Sequence, residues 1–482
     1  MTRSRCLAMA AGLVLAISTF LAPPRARAQD RASDEVLTLA EVERAVLERH
    51  PLLAAAEQER GIAAAADVLS AEGGFDPSLR ARVTGIPLGP YPSDRVETLA
   101  ELPPGLWGTR FFGGYRVSRG DFAVYDGKLV TGDHGEARLG AQVPLWRDGP
   151  IDRRRAALQR AELGTGVAQL NVEQQRLEAL RAAAHRYWDW VAAGQRLAVE
   201  REILGIAVAR DAGLASRAAR GDLPEFERAE NERVVHQRTA QLASAERALQ
   251  GSTIELSLFL RSADGAPLSP PPGRLPSAFP QVRGRAALEG GNAERQALTR
   301  RPELRRFDLL SRQTRVDRSL ADNQRKLGLD FYISGAKDFG PIYDAKLLKP
   351  ELELALVLDI PIFTRVQDGR FRAAEANLSR LAQQTRFARD RLTADVRDAA
   401  SAITMAEERI LATGREVTTS RQLVEMEKQR FELGEGTMLL VNLREQSLAE
   451  ARQREVDALA DYFKALASQR AAVGEPSANR LY

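Results

Sequence analysis

Leu352-Glu353-Leu354-Ala355-Leu356-Val357-Leu358-Asp359-Ile360 runs straight into Pro361-Ile362-Phe363, and no proline then interrupts the chain from Ile362 to Glu475. In the first stretch the leucines recur at every second position while Glu353 and Asp359 fall between them. That period of two predicts a strand with one apolar and one charged face. Such a strand suits a membrane β-barrel with its apolar face on lipid, and it equally suits a soluble sheet with one covered face. The proline-free stretch is rich in good helix formers, and Leu381, Ala388, Leu392, Ala399, Ala402, Ala406 and Ile410 fall close to one helical stripe. A strand, a proline-aromatic corner and a very long helix are therefore joined without a spacer.

The same arrangement occurs earlier in the chain. Pro144-Leu145-Trp146 matches Pro361-Ile362-Phe363 at an offset of 217, and that offset also pairs Arg153, Arg155, Ala156 and Ala157 with Arg370, Arg372, Ala373 and Ala374. Residues 151–223 hold no proline, and Leu177, Leu180, Ala184, Tyr187 and Val191 form a stripe. A helix from Asp152 to Ala219 would be about 100 Å long at ~1.5 Å per residue, which predicts an elongated, coiled-coil-like body. Ahead of it, Ala137, Leu139, Ala141 and Val143 alternate with Arg138 and Gln142, and Leu79, Ala81 and Val83 alternate with Arg80 and Arg82. The second half adds Leu327, Leu329, Phe331 and Ile333 against Asp330, Tyr332 and Ser334. His50-Pro51 resembles Arg301-Pro302 farther upstream. The chain reads as an internal duplication.

Each long helix is broken once. Gly221 ends the first, and Asp222, Pro224 and Glu225 have the composition of a new helix start. Gly434 and Gly436 form the equivalent break in the second half, with Thr437 as a candidate cap. Each region is thus a helical hairpin. The divisions that follow are a leader over 1–28, a first repeat over 29–262 and a proline-rich linker over 263–284, then a second repeat over 285–474 and a tail over 475–482. Within the first repeat, strands are expected near 75–85 and 135–146 with a hairpin over 152–261. In the second they are expected near 327–337 and 352–363 with a hairpin over 367–473. The interval from Asp76 to Pro144 is 68 positions against 31 from Asp330 to Pro361, so the first repeat carries an insertion at about 86–134. Its Trp107–Arg116 stretch is aromatic, glycine-rich and alternating, which reads as extra strand and external loop.

Composition narrows the function classes. The chain has 482 residues with 44% hydrophobic and 28% charged side chains, too polar for a multi-span helical membrane protein and too apolar for general disorder. Arg3 and Arg5, the apolar Leu7–Leu21 and the Ala26-Arg27-Ala28 site compose a secretory leader. Its four arginines account for the formal charge of +4, so the remainder carries 65 basic and 65 acidic side chains. A neutral chain offers no electrostatic case for nucleic acid as a partner. The single cysteine, Cys6, leaves with the leader. No later stretch reaches the ~18–20 apolar residues of a spanning helix, so membrane entry would have to use strands.

The opening Leu37-Thr38-Leu39-Ala40-Glu41-Val42 with His50-Pro51, the Pro144-Leu145-Trp146 corner into an arginine-rich helix start, and Arg430-Phe431-Glu432-Leu433-Gly434 before a further helix together resemble the outer-membrane efflux channel family typified by TolC. The resemblance implies a fold that is mainly α with β. Long helical hairpins would form a periplasmic α-barrel, and four strands per subunit would complete a twelve-stranded outer-membrane β-barrel in a homotrimer. It also implies outer-membrane lipid, a periplasmic adaptor and an inner-membrane pump as partners, gated passage without bond chemistry, and no cofactor or metal. The helix breaks at Gly221, Asp222, Gly434, Glu435 and Gly436 would map to adaptor-facing tips. Some relatives place acidic rings just after the second glycine. Leu439, Leu440 and Leu443 stand there instead, which implies a hydrophobic constriction that gates by dewetting, and Glu227 and Glu230 are candidates for a negative ring beside it.

Enzymatic readings find little support. His50, His134, His185 and His236 are the only histidines, and no metal-binding or phosphate-loop pattern surrounds them. The aromatics of His185–Trp190 fall inside a helix and read as packing residues. Asp338-Phe339-Gly340 lacks the companion motifs of a kinase. A periplasmic coiled-coil adaptor or scaffold is the rival from another class, distinguished by whether the strands enter the outer membrane.

Overall fold

The structure, a computed structural model, describes residues 35–123, 129–222, 224–282, 290–341 and 349–475. The leader and Cys6 lie outside the described residues. The first repeat opens with α1 (Leu39–Arg49) and α2 (Pro51–Ile62), which continues through a π-turn at Ala63–Asp67 into α3 (Val68–Glu72). Four strands follow, β1 (Ser78–Ile86), β2 (Ser93–Leu102), β3 (Arg110–Gly120) and β4 (Gly135–Pro144), and then the helical pair α4 (Arg153–Ala219) and α5 (Glu225–Ser257). The second repeat has α6 (Gly290–Arg300), α7 (Pro302–Asn323), β5 (Gly328–Phe339), β6 (Glu351–Asp359), α8 (Arg365–Glu432) and α9 (Met438–Val473). His50 and Arg301 are the N-caps of α2 and α7, each with proline at the first helical turn, where its missing N–H costs nothing.

Helices α4 and α8 contain 67 and 68 residues, or about 100 Å at ~1.5 Å per residue. Asp152 caps α4, its Oδ1 accepting the Arg155 N–H at 2.9 Å. Near the sheet α4 packs against α2, α3 and α7, and farther along against α5; α8 packs against α7 and then α9. The shorter helices thus flank the long ones in succession. Leu177, Leu180, Ala184, Tyr187 and Val191 are all buried. On α8 the buried face is Leu381, Leu392, Val396, Ala399, Ile403 and Ala406, so Ile403 takes the place expected of Ala402, which is exposed.

The main core lies at mid-height. Trp188 of α4 stacks on Phe463 of α9 with ring centroids 4.4 Å apart, and Phe279 closes the stack at 5.8 Å from Phe463. The Tyr187 hydroxyl donates to the Leu37 carbonyl at 2.8 Å and the Trp190 indole to Thr253 Oγ1 at 3.1 Å. Each ring keeps its polar atom satisfied while burying its apolar body. The proline-rich segment is extended but not loose. Arg274 is buried, donates to Glu41 at 2.6 Å, and accepts at its carbonyl the Leu37 N–H. Leu275 lies so close over Gly194 of α4 that a Cβ there would meet its Cδ2 at 2.3 Å.

The expectation of four strands per subunit is corrected to six. They form one antiparallel meander in the order β1-β2-β3-β4-β5-β6, and the two additional strands, β2 and β3, come from the insertion. The alternating stretch at Trp107–Arg116, read from sequence as an extra strand, overlaps β3, whereas β2 was hidden because Thr98 and Ala100 dilute the apolar period that marks β6. The register gathers most apolar side chains on one face and most charged ones on the other, with Asp94, Arg119 and Lys337 on the apolar face at the strand ends remote from the helices and Leu99 and Phe112 on the charged face. Leu79, Val83, Val96, Leu102, Phe111, Tyr115, Leu139, Ile333, Leu352, Leu354, Leu356 and Leu358 share one face, and all are solvent-exposed. Arg80, Arg82, Glu97, Arg116, Glu136, Arg138, Asp338 and Glu353 share the other. Among the described residues no helix is long and apolar enough to cross a membrane.

Replacing Trp188 with alanine empties the centre of the mid-height stack and is expected to cost about 3–5 kcal/mol. Thermal melting of the purified protein, followed by circular dichroism, will show a lowered midpoint for Trp188→Ala. Leu139→Ala, on the exposed apolar face, will melt like the parent.

Candidate functional site at the helical tip

Both hairpin turns use the same chemistry. At the first, the Asp222 N–H donates to the Arg217 carbonyl at 3.0 Å and the Gly221 N–H to Ala218 at 3.0 Å; at the second, Glu435 donates to Arg430 at 2.9 Å and Gly434 to Phe431 at 3.1 Å. This paired closure requires a left-handed residue, and Gly221 and Gly434 adopt φ of 77° and 78°. A Cβ at either glycine would meet nothing within 4 Å, so backbone conformation alone selects glycine there.

The N-terminal turns differ from expectation. Helix α5 begins at Glu225 with Pro224 as N-cap, and Asp222 instead pairs with Arg220 at 2.9 Å. Thr437 occupies the N-cap of α9, but its hydroxyl caps nothing. The Glu227 carboxylate of α5 does so from the other hairpin, accepting the Met438 N–H at 2.8 Å. A carboxylate at a helix N-terminus satisfies an orphan donor and faces the positive end of the dipole. Glu227 is therefore a clasp between the two hairpins. Glu230 is paired with Arg233 at 2.8 Å, and that hydrogen bond holds its carboxyl below the ordinary range.

Leu439 and Leu443, one turn apart on α9, are half exposed, while Leu440 is turned partly inward. Glu230, Leu439 and Leu443 line one groove of about 290 Å³ between α5 and α9. Three of the five residues expected at a constriction are thus brought together. Glu227 and Leu440 stand outside that lining.

Sequence reading missed the polar cluster behind this groove. Glu445 of α9, almost fully buried, receives Arg210 of α4 and, at 3.5 Å, Arg238 of α5, while Lys428 of α8 stands 3.9 Å away. Arg210 also donates to Asn442 Oδ1 at 2.9 Å, and Arg238 to the Ile203 carbonyl at 2.9 Å. Burial pushes the Arg238 guanidinium down and the Glu200 carboxyl up. One carboxylate on α9 thus bonds or faces cations on three other helices. These residues are scattered over 236 positions of sequence and no local motif joins them. A larger cleft of about 770 Å³ lies in the body, lined by Arg181, Arg301, Arg306, Asp395 and Asp398 among others. Among the described residues no three metal-ligating side chains cluster.

No family model and no curated protein matches this sequence. Solved structures do. The outer membrane protein VceC from Vibrio cholerae superposes with a TM-score of 0.65 at 16% identity, covering 90% of this chain and 96% of that one. The CmeC outer membrane channel of Campylobacter jejuni gives 0.66 at 13% identity, over 92% and 87%. The MtrE outer membrane channel of Neisseria gonorrhoeae, in its open state, gives 0.62 at 16%, over 90% and 88%. With the four-helix tip and the two-faced sheet in place, this chain has the fold of the outer-membrane channels typified by TolC.

Proposed function

We propose that the protein is an outer-membrane exit duct. It passes substrate received from an inner-membrane pump and a periplasmic adaptor to the exterior, with three copies enclosing the path. The observation that carries this reading is the exposed apolar face of the six-stranded sheet, which carries charge only towards the ends remote from the helices, at Asp94, Arg119 and Lys337. A sheet one residue out of register would put Arg80, Arg82 and Glu353 into lipid. Exposed Trp107, Trp146 and Phe363 lie where the strands meet the helices, the level at which aromatic girdles sit in barrels. The helical body then occupies the periplasm, and the Gly221 and Gly434 turns face the adaptor.

Passage involves no bond chemistry. The tip is the gate: Leu439 and Leu443 narrow the path, water leaves an apolar constriction readily, and an ion cannot cross where water is absent. Glu445 holds the gate shut by tying α4 and α5 to α9, and Glu227 fixes the start of α9 to α5. Opening requires these helices to part, which exposes cations that share one buried carboxylate.

The test of the reading is purification of the mature protein from a membrane fraction and its reconstitution in planar bilayers. A dense outer-membrane fraction and discrete conductance steps are expected; a soluble periplasmic product would instead favour a scaffold. Leu139→Arg puts a charge on the apolar face at a cost of about 2–4 kcal/mol at mid-membrane and will lower the yield in the outer-membrane fraction. Glu445→Gln removes the carboxylate that the part-buried Arg210 and the buried Arg238 share and leaves Glu200 to face Arg238, a loss of about 3 kcal/mol at the tip. The variant will show a higher resting conductance than the parent, with the mid-height core melting unchanged. Leu439→Asp with Leu443→Asp will wet the constriction and raise resting conductance by a separate route.

A further inference from the structure

The sheet ends on two open edges. β1 and β6 are each paired on one side only, and each is nine residues long. Unpaired backbone donors and acceptors are not tolerated in lipid, so on the channel reading each edge must find a partner strand. The edges complement each other. On the charged face β1 presents Arg80 and Arg82, whereas β6 presents Glu351, Glu353 and Asp359. Arg80 has no ion-pair partner among the described residues, while Arg82 reaches Glu97 at 3.6 Å and Asp359 is paired with Arg147.

Resting on the channel reading above, we propose that β6 of one copy pairs antiparallel with β1 of the next, Asp359 opposite Ser78, and that three copies closed in this way form an eighteen-stranded barrel. The direction follows from the meander, in which β1 leaves the helical body and β6 returns to it. The register follows from the stagger. Ser78 lies in a row through Glu101, Phe112, Gly140, Ser334 and Glu353, so that row meets β6 six residues before its end at Asp359. Joining Asp359 to Ser78 of the next copy carries those six residues forward per copy. The total stagger then equals the number of strands, which tilts them by about 35°, at the shallow end of the ~35–45° found in such barrels. Sliding the seam by two or four residues to set Arg82 or Arg80 directly against Glu353 makes the strands too upright.

In this register Leu79 meets Leu358, Ala81 meets Leu356 and Val83 meets Leu354, so the apolar face continues across the seam. On the opposite face Arg80 and Arg82 lie between Asp359 and Glu353, each diagonal to a carboxylate and within reach of a long side chain. Like-edge pairing, β1 on β1 or β6 on β6, would set arginines against arginines or carboxylates against carboxylates. The charges therefore favour a closed head-to-tail ring over a symmetric pair of sheets.

Cross-linking decides the seam and the copy number together. The mature full-length double variant Val83→Cys with Leu354→Cys, treated in outer membranes with a short bis-maleimide, is expected to give a covalent trimer as its largest species. Either single variant will stay monomeric, and Val83→Cys with Leu358→Cys, four residues out of register, will link at least tenfold less. A ladder ending at the dimer overturns eighteen strands in favour of twelve from two copies. A preparation that conducts in bilayers yet gives no covalent species overturns the seam while the channel reading stands. One that neither conducts nor reaches the outer membrane overturns both. Arg80→Glu with Arg82→Glu will lower the cross-linked yield several-fold, and adding Glu353→Arg with Asp359→Arg will restore it. Failure of the restoring pair overturns the charge match.

Discussion

On the proposed channel reading, backbone hydrogen bonding in a medium without water is the constraint on which the rest of this structure depends. Six strands from one chain satisfy every internal seam and leave two edges that one chain cannot close. Each unpaired group in hydrocarbon costs several kcal/mol. A nine-residue edge therefore costs more than the typical stability of a folded domain, about 5–15 kcal/mol. On that reading, assembly of such a sheet is coupled to insertion. Before closure its apolar face and its edges are both exposed to association, and charges at β1 and β6 favour the correct partner.

The second dependence runs through side-chain parity. Most pairings from β1 to β6 keep apolar side chains on one face and charged ones on the other, and much of the charged face is paired within itself: Arg82 reaches Glu97, and Arg116 and Arg138 both reach Glu136. The fully buried Glu136 sits in this row rather than in any helix. Register in a sheet with one lipid face has no tolerance for a single-residue slip, whereas the helical body has much. The alanine-rich seams between α4, α5, α8 and α9 are held by scattered pairs, such as Arg196 with Asp457 at 2.5 Å and Lys464 with Asp189 at 3.0 Å. On the channel reading, that contrast suits a rigid mouth over a body whose helices part at the far end.

What the sequence revealed and what it hid follow the same physics. The strand at Glu351–Asp359 was legible because four leucines mark one face without a gap, and the 67-residue helix because proline is absent and Leu177 to Val191 hold their spacing. The glycine breaks at 221 and 434 were legible because a positive φ leaves little choice of residue. β3 was legible in part from the aromatic, alternating Trp107–Arg116 stretch, but β2 was not, since threonine and alanine fill outward positions that leucine fills elsewhere. At the tip, Leu439 and Leu443 were visible as an apolar interruption in a polar helix. The Glu227 clasp and the Glu445 cluster were invisible, because both depend on helices that meet only after the two repeats have packed against each other.

The width of the sheet also accords with the layer beneath it. Four helical columns per copy, set at ~8–10 Å, occupy about 32–40 Å of circumference. Six strands at ~4.8 Å, widened by a tilt of about 35°, occupy about 35 Å, whereas four strands would occupy about 23 Å. A four-stranded sheet must therefore draw its helices inward where the two layers join. The insertion that supplies β2 and β3 removes that mismatch, so α4 and α8 can descend from Pro144 and Pro361 without converging. On the channel reading, narrowing is then left to the far end, where Gly221 and Gly434 turn the helices and Glu445 ties them together.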